Sequence, residues 1–226
     1  MTTPDYSRTD RKDDVSWLAY YEQTLDRPRY REAGRLLAHG AKIYSQNDED
    51  GILQEIFRRI GIQNRRFIEF GVQNGQECNS VLLLMTGWSG LWCESDEAAA
   101  ANIRDLFEPF ISAERLRCEN VTITPDNINE VLGAEGDVDL LSIDTDYHDY
   151  WLWKALDAIR PRVVVVEYNA TLKPPLSLTV PYEADESWDG TSFFGASLTA
   201  LEKLGNEKGY ALVGCCFSGV NAFFVR

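Results

Sequence analysis

A chain of 226 residues, 44% hydrophobic and 26% charged, has the make-up of an ordinary soluble protein and is long enough for one sizeable core. Its formal charge of −14 repels phosphate backbones and anionic lipid, which excludes a general nucleic-acid or membrane-surface binder. No apolar run approaches the ~18 residues of a membrane helix, and five cysteines without CxxC spacing argue against a disulfide framework or a thiolate zinc site, so a reducing cytoplasm is the expected home.

Residues 1–14 are charged, lack an apolar period and read as a mobile tail. Val15 to about Ala38 has a helical pattern that Arg27-Pro28 interrupts, which predicts two short helices. Residues 1–40 are therefore set apart from a domain over 41–226. Asn47 reads as a helix N-cap, with Asp48, Glu49 and Asp50 complementing the dipole, and Ile52, Leu53, Ile56, Phe57 and Ile60 form an apolar stripe that Gly61 ends. Strands are expected at Phe67–Phe70, Gly90–Glu94, Arg115–Cys118, Val138–Ile143 and Arg162–Val166. Helices are expected at about Glu77–Thr86, Asp96–Phe110, Pro125–Leu132, Asp149–Ile159 and Phe193–Lys208. A loop rich in Pro and acid, Ala170–Gly190, is long enough to be a substrate lid or a homodimer contact. Two strands around Ser218-Gly219 close the chain as an antiparallel hairpin.

Strands alternating with helices imply right-handed crossovers, so the fold class is α/β: a Rossmann-like, mostly parallel sheet with helices on both faces and the antiparallel hairpin at one edge. In such sheets ligands bind beyond the carboxyl ends of the strands. The first strand ends in Glu69-Phe70-Gly71-Val72-Gln73-Asn74-Gly75, where glycines let backbone approach a ligand. The second ends at Glu94, about twenty residues on, placed to accept hydrogen bonds from a ribose diol. The fourth ends in Asp144-Thr145-Asp146-Tyr147-His148-Asp149, the fifth in Glu167-Tyr168-Asn169. Several carboxylates and an amide oxygen in one crevice need compensation, for which a hard divalent cation is the usual agent. His148, in a polar loop beside that crevice, is a candidate general base.

The runs FIEFGVQNG, GLWCES, DVDLLSIDTD and VVVVEYN, together with the ending GASLTALEKLGNEKGYALVGCCFSGVNAFFVR, resemble class I S-adenosylmethionine-dependent methyltransferases, including a bacterial FkbM-like group. The resemblance covers about residues 42–226 and implies seven strands, the last antiparallel. It implies that Glu69, Gly71 and Gly75 frame the methionine part of S-adenosylmethionine, that Glu94 holds the ribose, and that adenine lies near Asn120 and Val121. In similar proteins a Tyr-Ser-Gln stretch lies over the crevice, which makes Tyr44 and Gln46 cofactor candidates. Gln73 departs from the pattern, since many members have glycine there, and a nicotinamide cofactor ranks second.

The acids resemble the metal site of catechol-type O-methyltransferases, and by position Asp144, Glu167 and Asn169 correspond to its ligands, with Mg²⁺ the natural ion. Residues 167 and 169 should point the same way along a strand. The expected activity is methyl transfer to a small polar metabolite or sugar, at oxygen in preference to nitrogen, with His148, Asp144 and Asp146 catalytic. Two other readings stand beside it: a different use of the sulfonium, by intramolecular cyclisation or elimination, and a non-catalytic binding protein on the same fold.

Overall fold

A computed structural model of the protein describes residues 19–226. The predicted tail and the start of the N-terminal helical pattern, with Trp17 and Leu18, lie outside the described residues. Residues 19–25 are helical, and 3-10 turns follow at Pro28–Tyr30 and Leu37–His39. The break at Arg27-Pro28 is present, because proline has no N–H to continue a helix but suits the first turn of a new one. The second predicted helix is no more than a 3-10 turn.

Helix α1 spans Glu49–Ile60 and ends at Gly61, whose φ of +73° lies in the left-handed region. It starts one residue later than predicted. Asp48 stands at the N-cap, while the Asn47 N–H donates to the Glu49 carboxylate at 2.8 Å. Asp50 turns back and accepts from the N–H groups of Ile43, Tyr44 and Ser45 at 2.8, 2.6 and 2.9 Å.

Seven strands form one sheet: β1 Arg66–Phe70, β2 Ser89–Glu94, β3 Leu116–Asn120, β4 Leu140–Ile143, β5 Val163–Glu167, β6 Ala211–Cys215 and β7 Asn221–Val225. Their order is β3-β2-β1-β4-β5-β7-β6. The pairs among β1 to β5 are parallel, and β7 runs antiparallel between β5 and β6. The register sets the site. Phe70 pairs with both Cys93 and Ile143, Ile143 with Val166, and Glu167 with Asn221. Gly71, Glu94, Asp144, Glu167 and Asn221 therefore stand level at one end of the sheet.

Both faces of the sheet are covered. Along β5, Val163 and Val165 join one apolar cluster, with Ile52, Phe57 and Trp92, while Val164 and Val166 join the other, with Leu152, Trp153 and Phe224. This alternation is why an unbroken valine run serves as a central strand.

Three predicted helices are shorter or divided. Helix α2 covers only Val81–Met85, because the N–H groups of Asn79 and Ser80 are drawn instead to Glu69 on β1. The predicted Asp96–Phe110 helix divides into α3, Glu97–Leu106, and α4, Glu108–Ser112, with Pro109 in the first turn of the second. Asp96 caps α3 by accepting from Ala99 N–H at 2.7 Å. Helices α5, Ile128–Leu132, and α6, Asp149–Ala155, stop short of their predicted spans, and α7 covers Leu198–Glu207. No helix among the described residues is long and apolar enough to cross a membrane.

Candidate active site

The loop after β1 is shaped by positive backbone angles. Gly71 has φ +70°, and a Cβ there would lie 1.7 Å from the Asp144 carbonyl oxygen, so only glycine lets the tips of β1 and β4 meet. Gln73 has φ +48°. It holds the left-handed conformation that glycine would adopt most easily, so the departure at this position keeps the shape of the loop. Glu94 closes the turn by accepting from Gln73 N–H at 2.6 Å and Asp96 N–H at 2.9 Å.

Glu69 is buried beneath this loop. Its carboxylate accepts from the Asn79 and Ser80 N–H groups at 2.8 and 2.9 Å and from the Ser80 hydroxyl. Burial raises its pKa, and these donors oppose the rise. Ser80 in turn accepts from the Trp92 indole N–H at 2.8 Å, and Asn79 donates to Ser142 at 3.0 Å. Glu69 thus fastens the start of α2 to β1 and β4.

Two cavities open at this end of the sheet. The larger, about 260 Å³, is lined by Glu94, Val121, Ile123, Asp146, His148 and Tyr182, among others. The smaller, about 120 Å³, is lined by Gln46, Glu69, Asp144, Asp146, Glu167 and Asn221, among others. Gly71, Gln73 and Asp146 are walls of both. Gly75 lines neither. A Cβ there would meet Phe107, Trp92 and Ile103 at 2.9 to 3.3 Å, so it lets α3 and α4 pack close. Asn120 donates to the carbonyls of Glu94 and Ser95 at 2.9 and 3.1 Å, bracing the β2 tip. Tyr44 also lines neither cavity, and its N–H serves Asp50.

Asp144, Asp146 and Glu167 each offer a carboxylate oxygen, and these atoms lie within 4.8 Å of one another. Burial and then the neighbouring carboxylates raise Asp144 well above its usual range and push Glu167 up to about 10. Asp149, which the sequence reading left as a helix start, belongs to the same group. It is fully buried, accepts from Thr145 N–H at 2.7 Å and Thr145 Oγ1 at 3.0 Å, and is raised to about 6 by burial. One oxygen each of Glu167 and Asp149 has no hydrogen-bond partner among the described residues.

Asn169 is not part of this group, contrary to the expectation that it shares a face with Glu167. Strand β5 ends at Glu167, so the alternation of side chains ends there too. The Asn169 amide instead donates to the carbonyls of Ser192 and Phe194 at 2.8 and 3.1 Å, and its oxygen accepts from Thr171 N–H at 3.1 Å. It organises the 170–194 loop. That loop lies over the larger cavity, held by Trp151 Nε1 donating to Val180 at 2.8 Å and by the Tyr147 hydroxyl donating to Glu186 at 3.0 Å. His148 is set between the rings of Tyr147 and Tyr182, at 4.7 and 5.0 Å. Burial lowers its pKa, which keeps the imidazole neutral, and its Nε2 has no partner among the described residues.

No protein-family model matches the chain, and no curated protein matches it. Solved structures do. A Staphylococcus aureus protein provisionally assigned as a caffeoyl-CoA O-methyltransferase superposes with a TM-score of 0.58 at 10% identity, over 94% of this chain and 99% of that one. The N-terminal domain of EvdMO1, solved with SAH bound, superposes at 0.50 with 13% identity over 98% of both chains. The methyltransferase domain of bacterial CtHen1-C superposes at 0.50 with 12% identity, over 78% of this chain and 97% of that domain. The fold is that of class I S-adenosylmethionine-dependent methyltransferases, with an antiparallel pair at the carboxyl end of the chain.

Proposed function

We propose that the protein is an S-adenosylmethionine-dependent methyltransferase that methylates an oxygen of a small polar molecule with the help of a divalent cation. The carrying observation is the pair of cavities that share Gly71, Gln73 and Asp146. The larger suits adenosine, with Glu94 facing the ribose and Val121 the base. The smaller, walled by carboxylates, suits the methionine end and the acceptor. The full-length match to a domain solved with SAH bound, and again in the presence of SAH and D-fucose, supports this cofactor and favours a sugar as acceptor.

Methyl transfer is an in-line displacement. The acceptor oxygen forms a bond to the methyl carbon, the carbon–sulfur bond breaks, and the thioether leaves with the electron pair. The protein's part is alignment, which can contribute several kcal/mol. Gly71 and Gln73 hold the loop between the two cavities. Asp146, a wall of both, aligns the acceptor beside His148, whose neutral imidazole takes the acceptor's proton at its unpartnered ring nitrogen.

Asp144, Asp146 and Glu167 fit a cation. Three carboxylates this close, one with an unpartnered buried oxygen, form an oxygen donor set suited to Mg²⁺ or Mn²⁺. When bound, the ion would lower the pKa of the acceptor hydroxyl.

Calorimetric titration with SAH tests the cofactor, with binding expected in the micromolar range. No heat of binding would leave a non-catalytic protein on the same fold. Incubation with S-adenosylmethionine and a panel of sugars should release SAH. Release of methylthioadenosine without an acceptor would instead establish an intramolecular reaction.

A further inference from the structure

We infer that Asn221, from the antiparallel strand β7, supplies the amide-oxygen ligand of the divalent-cation site. This rests on the cation reading proposed above and adds a ligand from outside the strand-four and strand-five loops. Asn221 opens β7 and pairs across the sheet with Glu167, the last residue of β5. Directly paired residues of antiparallel strands present their side chains on the same face, about 5 Å apart at Cβ. Asn221 lines the smaller cavity with Asp144, Asp146 and Glu167, and is only 2% exposed.

The orientation of its amide is set from behind. Asn221 Nδ2 donates to Glu49 Oε1 at 3.0 Å, and the other oxygen of Glu49 accepts from Asn47 N–H. With the nitrogen committed to Glu49, the remaining atom is the oxygen. That oxygen is buried and has no hydrogen-bond partner among the described residues. A buried carbonyl oxygen without a donor therefore stands in a cavity walled by three carboxylates. A cation satisfies it and the carboxylates together, since Mg²⁺ and Mn²⁺ take carboxylate and amide oxygens alike. Asn169, the amide of the fifth-strand loop, is committed elsewhere, so Asn221 fills the place expected of it.

Titration of the purified full-length protein with Mn²⁺, followed by calorimetry and by electron paramagnetic resonance of free Mn²⁺, tests the assignment without any turnover assay. Wild type is expected to bind one ion and Glu167→Gln to lose it. Asn221→Ala should weaken Mn²⁺ binding by about tenfold or more. Asn221→Gln keeps an amide for Glu49 but carries its oxygen one methylene away. It should show the same loss and guards against an alanine variant that fails to fold. Wild type that binds no ion overturns the cation reading and the Asn221 assignment together. Loss in Glu167→Gln with wild-type Mn²⁺ affinity in both Asn221 variants overturns Asn221 alone.

Discussion

Strand β4 is flanked by an aspartate at each end, one fully buried and one half-buried, and the two are treated in opposite ways. At the amino end Asp139, fully buried, accepts from the N–H groups of Gln63, Asn64 and Arg65 and pairs with Arg162 at 2.9 Å. Burial pushes its pKa up, but these partners outweigh it and hold the carboxyl below its usual value. At the carboxyl end Asp144 faces Asp146, Asp149 and Glu167, and burial followed by these neighbouring carboxylates raises it well above its usual range. Arg162 itself reaches back to the carbonyls of Ile60 and Gly61, so the amino end is a closed network. Buried charge that the protein compensates holds the fold together. Buried charge that it leaves uncompensated marks where a ligand must do so.

Breaking the closed end should have the largest effect on stability. Asp139→Ala leaves Arg162 buried without its partner and should cost about 3–5 kcal/mol in chemical denaturation. Asp144→Asn at the open end should leave the protein as stable or more so. A comparable loss in both variants would remove the contrast between the two ends.

The pH dependence sharpens the same comparison. Folded Glu167 keeps its proton up to about 10, whereas the unfolded chain releases it near 4.5, so between these values the folded state binds more protons. Stability without divalent ions should therefore be full below about 4.5 and fall as pH rises through the window up to about 10. Glu167→Gln should flatten this fall, and Mn²⁺ should oppose it in wild type. Melting temperatures across the pH range measure it.

Glu94 lines only the larger cavity and so tests the proposed adenosine position apart from the acids. Glu94→Ala should weaken SAH by about 10- to 100-fold through lost hydrogen bonds to the ribose while leaving Mn²⁺ binding unchanged. The smallest effect is expected at the loop over the larger cavity. Trp151→Phe removes one tether, worth about 1 kcal/mol, and should speed proteolytic cleavage within 181–190 with little change in melting temperature.

The strands and the acids at their ends could be read from the chain because each depends on neighbours in sequence. The apolar runs of β4 and β5, the glycines after β1 and the acid ending β2 are local signals. Helix α2 could not be placed correctly, because its start is set by Glu69, ten residues away and on another element. Asp149 read only as a helix start, and its place beside the acid group follows from how the Thr145 turn folds over it. Asn221 had no local signal at all. Its position depends on β7 inserting between β5 and β6, a pairing of residues more than fifty positions apart. Asn169 failed for the opposite reason: the strand alternation used to place it ends at Glu167.

The contact between Gly71 and the Asp144 carbonyl has a consequence for how this chain can vary. Backbone rests on backbone there, with no side chain between to absorb a change. The loop after β1 and the acid-bearing loop after β4 share one pivot, and lengthening either beside it would pry the other loose. Variation in length is therefore better tolerated in the exposed part of the 170–194 loop, away from that hinge.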